Sequence, residues 1–410
     1  MISKLILSSF SILIYLFFSS PSLAINCDIT IQSGQSIVTQ INKTTCLRDG
    51  TYVQQVFIRA NNAHLTSYPG EKAVIDGQNK LAPNWGALIR LEGNGSKVSN
   101  LEIKNSAGMC LLLKGEDTHA DNIFAHHCAE NGILIKGDRG IVENSKVDTA
   151  ATARQSGWSS CLTAARRPTN AIIRNNYVLN CGGEGISTYE AFGTLLENNT
   201  VENNYNSTMM YVSDAQDVIV RDNTIRDNGG CNTGLMMGDE TENPPSKNIE
   251  VYNNKVYNTC RNFYWWWDTS RFANGGMNKF YIHDNYFYEA TSKANVQINE
   301  GNHVYSTFTN NTIIQTISPG TIKPFINYSN LSGNNTIITN PAQIHLSPTS
   351  ATQTKIGDAN GDNLTNEADY IIWVSNYSQT TTNGHLDGDF NGSDMIDGAD
   401  YIIWLNNYSY

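Results

Sequence analysis

An asparagine that returns at near-regular intervals constrains this chain more than any other feature. Asn100, Asn122, Asn144, Asn176, Asn199, Asn223, Asn254, Asn285 and Asn311 stand 22, 22, 32, 23, 24, 31, 31 and 26 residues apart. The unit is clearest over residues 172–204, where two apolar-alternating segments flank an Asn-Asn pair, a polar corner follows, and a third short strand opens at Gly185-Ile186. One copy is too short to bury its own apolar face, so it must stack on a neighbour. A constant unit with insertions at one corner predicts an all-β fold, a right-handed parallel β-helix with three strands per coil. Asparagines stacked at one inward turn would then form a ladder of amide hydrogen bonds. A simple turn preference of Asn explains one or two copies, not nine in register, and a sandwich or propeller would need hairpin signals or longer periods.

The ends of the chain differ from its middle. Residues 1–24 carry Lys4, an apolar run from Leu5 to Phe18 and then Pro21-Ser22-Leu23-Ala24, the pattern of a secretory signal peptide. No other long apolar run predicts a membrane span, so the expected location is secreted, extracellular, or within a complex at the cell surface. Residues 25–340 form the predicted β-helix. Within them residues 36–43 place Ile37, Val38 and Ile41 at helical spacing, and a helix there is expected to cap the open end of the first coil.

Eight cysteines in an exported chain predict disulfides. Pairing them consecutively gives separations of 19, 18, 20 and 29 residues, each near one coil, so each bridge would tie a coil to its neighbour. Free buried thiols are the alternative, since Cys packs as a small apolar residue.

The net charge of −11 is unevenly spread, because nine carboxylates and no Lys or Arg fall in residues 356–410. The body is nearly balanced, which argues against a nucleic-acid partner.

The succession Cys46-Leu47-Arg48-Asp49-Gly50-Thr51-Tyr52, Phe57-Ile58-Arg59-Ala60, Tyr68-Pro69-Gly70 and Val74-Ile75-Asp76-Gly77 resembles the opening coils of β-helical polysaccharide lyases such as chondroitinase B and the alginate lyases. That resemblance covers the first coils and implies a polysaccharide substrate.

The third strand of each coil should carry the chemistry, because its outward residues line a groove along the axis. Placing Leu111, Ile133, Leu162, Ile186, Met210, Leu235, Tyr264 and Val296 in one frame puts Glu190, Asp214, Asp239, Asp268 and Glu300 four residues on, a column of five acids. Earlier coils carry Lys114, Lys136, Arg139, Arg166 and Arg167 near that place. Coils ~4.8 Å apart would set like carboxylates against one another unless they are protonated or bridged by a cation. Calcium suits such a site, giving one expected ion in the groove. The competing explanation is that Asp and Glu merely favour the corner after a short strand. Tyr189 and Tyr211 share a face with Trp265 and Trp267 in this frame, and exposed rings beside carboxylates suit stacking on sugars. Filling a wide coil is the other use for those tryptophans.

Two reactions fit these residues. In β-elimination on a polyuronate, the proton at C5 becomes acidic only when the adjacent carboxylate is neutralised, and Lys136, Arg166 and Arg167 beside Glu190 and Asp214 would supply neutralisation and a base. In glycoside hydrolysis, Glu190, Asp214 and Asp239 would act as paired carboxylates, since one or two coil rises bracket the separations of retaining and inverting enzymes. A β-helix that binds glycans without turnover is a third possibility.

Residues 341–355 form a Ser/Thr/Pro linker, and the sequence then duplicates itself with an offset of 31 residues. Asp358, Asn360, Asp362, Leu364, Asn366 and Asp369 repeat as Asp389, Asn391, Ser393, Met395, Asp397 and Asp400. Each set follows EF-hand calcium spacing, with Leu364 and Met395 offering a backbone carbonyl. With its following Ala-Asp-Tyr-Ile-Ile-Trp segments, residues 356–410 resemble a type I dockerin, in which Asp at the twelfth loop position is usual. The resemblance implies a small all-α module, two calcium ions, a cohesin partner and an appended polysaccharide-degrading module. Glu367-Ala368 and Gly398-Ala399 replace the paired hydroxyl residues with which many dockerins contact cohesin.

Overall fold

The computed structural model describes residues 25–153, 159–205, 207–227, 231–241, 245–271, 275–328, 331, 333–341, 357–359, 365, 367–381, 384–390, 395–396, 400–401, 403–404 and 407–408. Residues 1–24, expected to be a signal peptide, and residues 342–355 of the expected linker lie outside them. The chain divides into two compact units, Met1–Thr339 and Asn340–Tyr410.

The first unit is a stack of coils built from short parallel strands. One coil runs through Ile172–Arg174, Tyr177–Leu179 and Glu184–Tyr189. Its strands pair in parallel with Leu195–Glu197, Thr200–Glu202 and Met210–Ser213 of the next. The first two strand positions of the coils join into one 22-stranded sheet, and the third forms an 11-stranded sheet from Val56–Ile58 to Phe325–Asn327. Alternation sends every second side chain inward. Leu111, Ile133, Leu162, Ile186, Met210, Leu235, Phe263 and Val296 stand in one buried column. Burying each such side chain contributes about 1.5–3 kcal/mol, and no coil could do so alone.

The asparagine ladder exists, but it begins at Asn176. From there Asn199, Asn223, Asn254, Asn285, Asn311 and Asn335 follow, each Nδ2 donating to the next Oδ1 at 2.9–3.0 Å. Asn100, Asn122 and Asn144 occupy the preceding outward position, with φ of 50–53°, a left-handed turn that Asn tolerates. The interior position in their coils holds Leu101, Ile123 and Ser145 instead. An Asn-Asn pair hides this difference, because one member turns the corner and the other faces inward.

Two further expectations need correction. Residues 36–43 form no helix. Ile37, Val38, Thr39 and Ile41 are β-branched and disfavour one, and the segment is instead tied down by Gln54, which accepts from Ile37 N at 3.0 Å and donates to Gln35 O at 3.0 Å. In the tryptophan coil, Phe263 rather than Tyr264 stacks on Leu235, which reverses the faces of the residues that follow.

Disulfides join Cys27 to Cys46, Cys110 to Cys128, Cys161 to Cys181 and Cys231 to Cys260. The pairing is consecutive, as expected, and belongs to an oxidising compartment. No helix among the described residues is long and apolar enough to cross a membrane.

In the second unit, helix Glu367–Asn376 precedes a 3-10 turn, Gly384–Asp387. Asp358, Asp369, Asp389 and Asp400 are buried, and the duplication is visible in their bonds. Ala359 N donates to Asp369 Oδ1 and Phe390 N to Asp400 Oδ1, both at 2.8 Å. Met395 bridges Thr380 in antiparallel fashion. Asn360, Asp362, Leu364, Asn366, Asn391, Ser393 and Asp397 lie outside the described residues.

Candidate functional site

A cleft of about 670 Å³ opens on the outward face of the 11-stranded sheet, over the strands Met109–Leu113 to Met210–Ser213. It brings together Lys136, Arg166, Tyr189, Glu190 and Tyr211 of the predicted set with Glu184, Glu240, Ser160, Ser187, Asn131 and Trp85. The parallel register explains the grouping. Ser160 lies beside Glu184, and Thr163, Ser187 and Tyr211 lie in one row, so residues about 24 apart in sequence become neighbours ~4.8 Å apart.

The cleft has a cationic side and an acidic side. Lys136 is half-buried, and burial, then the charges of Arg166, Lys114 and Arg90, hold its ammonium below the usual lysine range. Arg90 pairs with Glu92 at 2.8 Å, and Lys114 approaches the same carboxylate at 3.9 Å. Among the described residues neither Lys136 nor Arg166 forms an ion pair.

On the acidic side Tyr211 OH donates to Glu240 Oε1 at 3.0 Å. Burial lifts the Glu240 carboxyl to about 7, with Glu184 and Asp214 adding like charge. Ser160 Oγ donates to Glu184 Oε2 at 2.9 Å and meets Ser187 Oγ at 2.8 Å, and Ser187 Oγ donates to Thr163 Oγ1 at 2.8 Å. Burial, then the charges of Asp214, Glu190 and Glu240, pushes the Tyr189 phenol up to about 12, so it stays protonated.

The predicted acidic column is real in register and divided in direction. Glu190, Asp214 and Asp239 follow aligned neighbours, but only Glu190 lines the cleft. Asp214 is fully buried and accepts from Ser213 Oγ, Glu240 N, Thr241 N and Thr241 Oγ1 at 2.6–3.1 Å. It is a cap on the corner of the next coil. Asp239 is buried and accepts from Ser246 N at 2.8 Å, and burial lifts its carboxyl to about 7. Trp267 pairs with Asp239 in the column. Asp268 stands one residue beyond, bonded to Ser270 and Arg271.

Trp265 points into the coil, fully buried, with its ring 5.3 Å from that of Phe280, so it offers no platform to a ligand. Trp267 donates from Nε1 to Glu300 O at 2.9 Å and does not line the cleft. Arg167 is exposed outside the cleft. Among the described residues no group of three or more His, Cys, Asp or Glu is placed to share a metal ion.

Glu184, Glu240 and Trp85 carry no signal in the repeat. Glu184 precedes the frame residue Ile186 by two, where the chain turns onto the sheet, and Glu240 lies five past Leu235, so neither fell at the counted offset. Trp85 sits in an insertion with no repeat to mark it.

Residues 87–275 match the family model described as the right-handed beta helix region. The coiled unit is a right-handed parallel β-helix. No curated protein matches the sequence. Among solved structures, the β-helix resembles PfbA, a surface adhesin of Streptococcus pneumoniae, at 12% identity over 72% of this chain and 84% of that one, with a TM-score of 0.49. It also resembles the A-module of the mannuronan C-5 epimerase AlgE4 of Azotobacter vinelandii, at 10% identity over 77% and 83%, with a TM-score of 0.48. A polysaccharide lyase of the PL6 family from Pseudopedobacter saltans matches at 11% identity over 76% and 92%, with a TM-score of 0.44. The chain spans 62%, 62% and 55% of the first three structures matched.

Proposed function

We propose that the β-helix is a secreted enzyme that cleaves an acidic polysaccharide by β-elimination at a uronate unit. The observation that carries this reading is a pair of cations, Lys136 and Arg166, that have no carboxylate partner among the described residues and stand on one side of a sugar-sized cleft. Arg166 faces the substrate carboxylate and withdraws its charge, which acidifies the C5 proton. Lys136, with its pKa held down by burial and then by the cations beside it, takes that proton when neutral. The C5–H electron pair becomes the C4=C5 double bond, the C4–O4 bond breaks, and the leaving oxygen receives a proton from the Tyr189 phenol. The direct test is ultraviolet absorbance of the unsaturated product on a panel of polyuronates. Its absence on every uronate polymer tried would remove the proposal.

One observation favours a second reaction. Glu240, with its pKa lifted to about 7, is suited to donate a proton to a glycosidic oxygen while Glu184 or Glu190 serves as the second carboxylate. New reducing ends without the unsaturated chromophore would mark this hydrolysis. Glycan retention with neither product would mark a binding rod, to which Glu184, Glu190 and Tyr189 would contribute contacts.

For the C-terminal unit we propose two bound calcium ions and docking to a cohesin as a dockerin does. Calcium takes oxygen ligands, and the four buried aspartates at the first and twelfth loop positions fit that preference. Calcium would fix the two loops, and an intact unit would tether the enzyme to a larger extracellular complex. Titration of the full chain with calcium, read by calorimetry, checks the stoichiometry of two.

A further inference from the structure

We propose that the cleft reads a methyl-bearing sugar unit, a 6-deoxyhexose or an O-acetylated residue, on an apolar subsite walled by Trp85, beside the uronate held by Lys136 and Arg166. The proposal rests on the uronate reading of that cleft and adds its neighbour.

The outward face of the sheet changes character along the axis. At one register position the side chains are Leu112, Leu134, Thr163, Ser187 and Tyr211. The two leucines join Ala87, Met109 and Ala165 in a cluster separate from the interior core. Met109, Leu134 and Ala165 line the cleft, and their side chains offer a hydroxyl no partner beyond the weakly accepting thioether of Met109. A sugar unit placed against them would leave hydroxyls desolvated without partners, which is costly. A unit in which a methyl group replaces or caps a hydroxyl avoids that penalty. Leu134 and Lys136 are two residues apart and both line the cleft, Lys136 just past the end of the strand Ile133–Ile135, so adjoining sugars can meet both.

Trp85 supplies the wall. It is 41% exposed, and no other tryptophan among the described residues stands with the exposed large apolar side chains. Its loop is held in an expensive shape, since Gln78, Ala82 and Trp85, none of which favours the left-handed turn, have φ of 52–63°. Such conformations persist only where surrounding structure fixes them. Here Ala82 is buried, and its carbonyl packs so tightly on Gly108 that a Cβ there would come within 2.1 Å. Asn79 N donates to Asn105 O at 2.7 Å, Ala107 N to Leu81 O at 3.0 Å, and Met109 N to Gly86 O at 2.7 Å. The loop is anchored on both sides and presents one indole to the cleft, an arrangement suited to stacking on a sugar's apolar face.

The test compares four polymers: an unsubstituted polyuronate, an O-acetylated polyuronate, the same polymer after alkaline deacetylation, and a polymer alternating uronate with 6-deoxyhexose. Binding is read by affinity electrophoresis of the full chain carrying Tyr189→Phe, and KM and kcat with Tyr189 intact. Trp85→Ala should raise KM about tenfold on whichever methyl-bearing polymer is the substrate, with kcat nearly unchanged, while Trp85→Phe retains affinity and both variants keep the parent's melting temperature. Loss of affinity on deacetylation assigns the acetyl source, and preference for the alternating polymer assigns the deoxyhexose. Equal use of the unsubstituted polymer, an inert Trp85→Ala, or no binding to any of the four overturns the subsite. Trp85-dependent binding without any unsaturated product would retire the elimination chemistry and leave the subsite standing, and unsaturated product indifferent to Trp85 would do the reverse.

Discussion

Tyr211 reaches across one coil to donate its hydroxyl to Glu240 Oε1 at 3.0 Å, and both side chains are buried. The pair places a carboxyl whose pKa is near 7 on the rim of a cleft that also holds Glu184. Glu240 is raised from about 4.5 and Asp239 from 3.8, each to about 7 by burial. Each folded carboxyl therefore holds its proton more tightly than the unfolded one. The resulting stabilisation is full below the unfolded values and is lost as pH rises through 7. Melting temperature should thus fall from pH 5 to pH 8. Asp239→Asn should flatten that decline, with a gain at pH 8 of up to ~3 kcal/mol. An unchanged slope in calorimetry would refute the assignment.

Asp214 invites the opposite expectation from the one its place in the sequence suggests. It accepts four hydrogen bonds, including those from Glu240 N and Thr241 N. Asp214→Ala leaves buried donors unpaired at a cost of about 1–3 kcal/mol each, so the variant should lose several kcal/mol in urea unfolding. Any loss of activity should track this instability, and Asp214→Asn should recover part of both.

On the elimination reading, Lys136 should contribute through chemistry and little through stability. Lys136→Met removes a charge held against Arg166 and two further cations, so melting temperature should hold or rise. Turnover should fall by a factor of about 10²–10⁴, the usual worth of a positioned base. The acidic limb of the pH–rate profile, where protonation of Lys136 shuts the reaction down, should also disappear. A variant with normal kcat would exclude Lys136 as the base.

The asparagine ladder gives a graded test of fold energetics. Asn223 bonds Asn199, Asn254 and Leu196 O and is fully buried, whereas Asn335 ends the ladder half-exposed. Asn223→Ala should cost more than 3 kcal/mol by loss of a bond to each neighbouring coil, and Asn335→Ala about 1 kcal/mol. Equal costs measured by chemical denaturation would show that the ladder is not cooperative.

The coil repeat and disulfide pairing were legible in the sequence because stacking imposes a period, and each pairs residues near one period apart. Side-chain direction was less legible. A one-residue slip reverses every face, and the run Phe263-Tyr264-Trp265-Trp266-Trp267 offers apolar residues to either frame, so the sequence frame turns Trp265 outward whereas it fills the interior beside Phe280. The column Glu190, Asp214, Asp239 was aligned correctly, yet its side chains part company because local donors decide where each carboxylate turns. Thr241 and Ser246 draw Asp214 and Asp239 under the surface. Trp85 left no trace in the repeat, since an insertion has no counterpart to be compared with.

The two C-terminal loops should respond to chelation independently of the β-helix. Asp369 and Asp400 each take one backbone N–H at 2.8 Å within their loops, and metal binding to such loops is coupled to folding. Removing calcium from the full chain should abolish a low-temperature transition in calorimetry and leave the β-helix transition in place. Asp369→Ala with Asp400→Ala should reproduce that result without chelator, and polysaccharide turnover should persist in both cases, because the cleft residues all lie in the other unit. A β-helix transition that also moves on chelation would mean that the coils themselves depend on the ion.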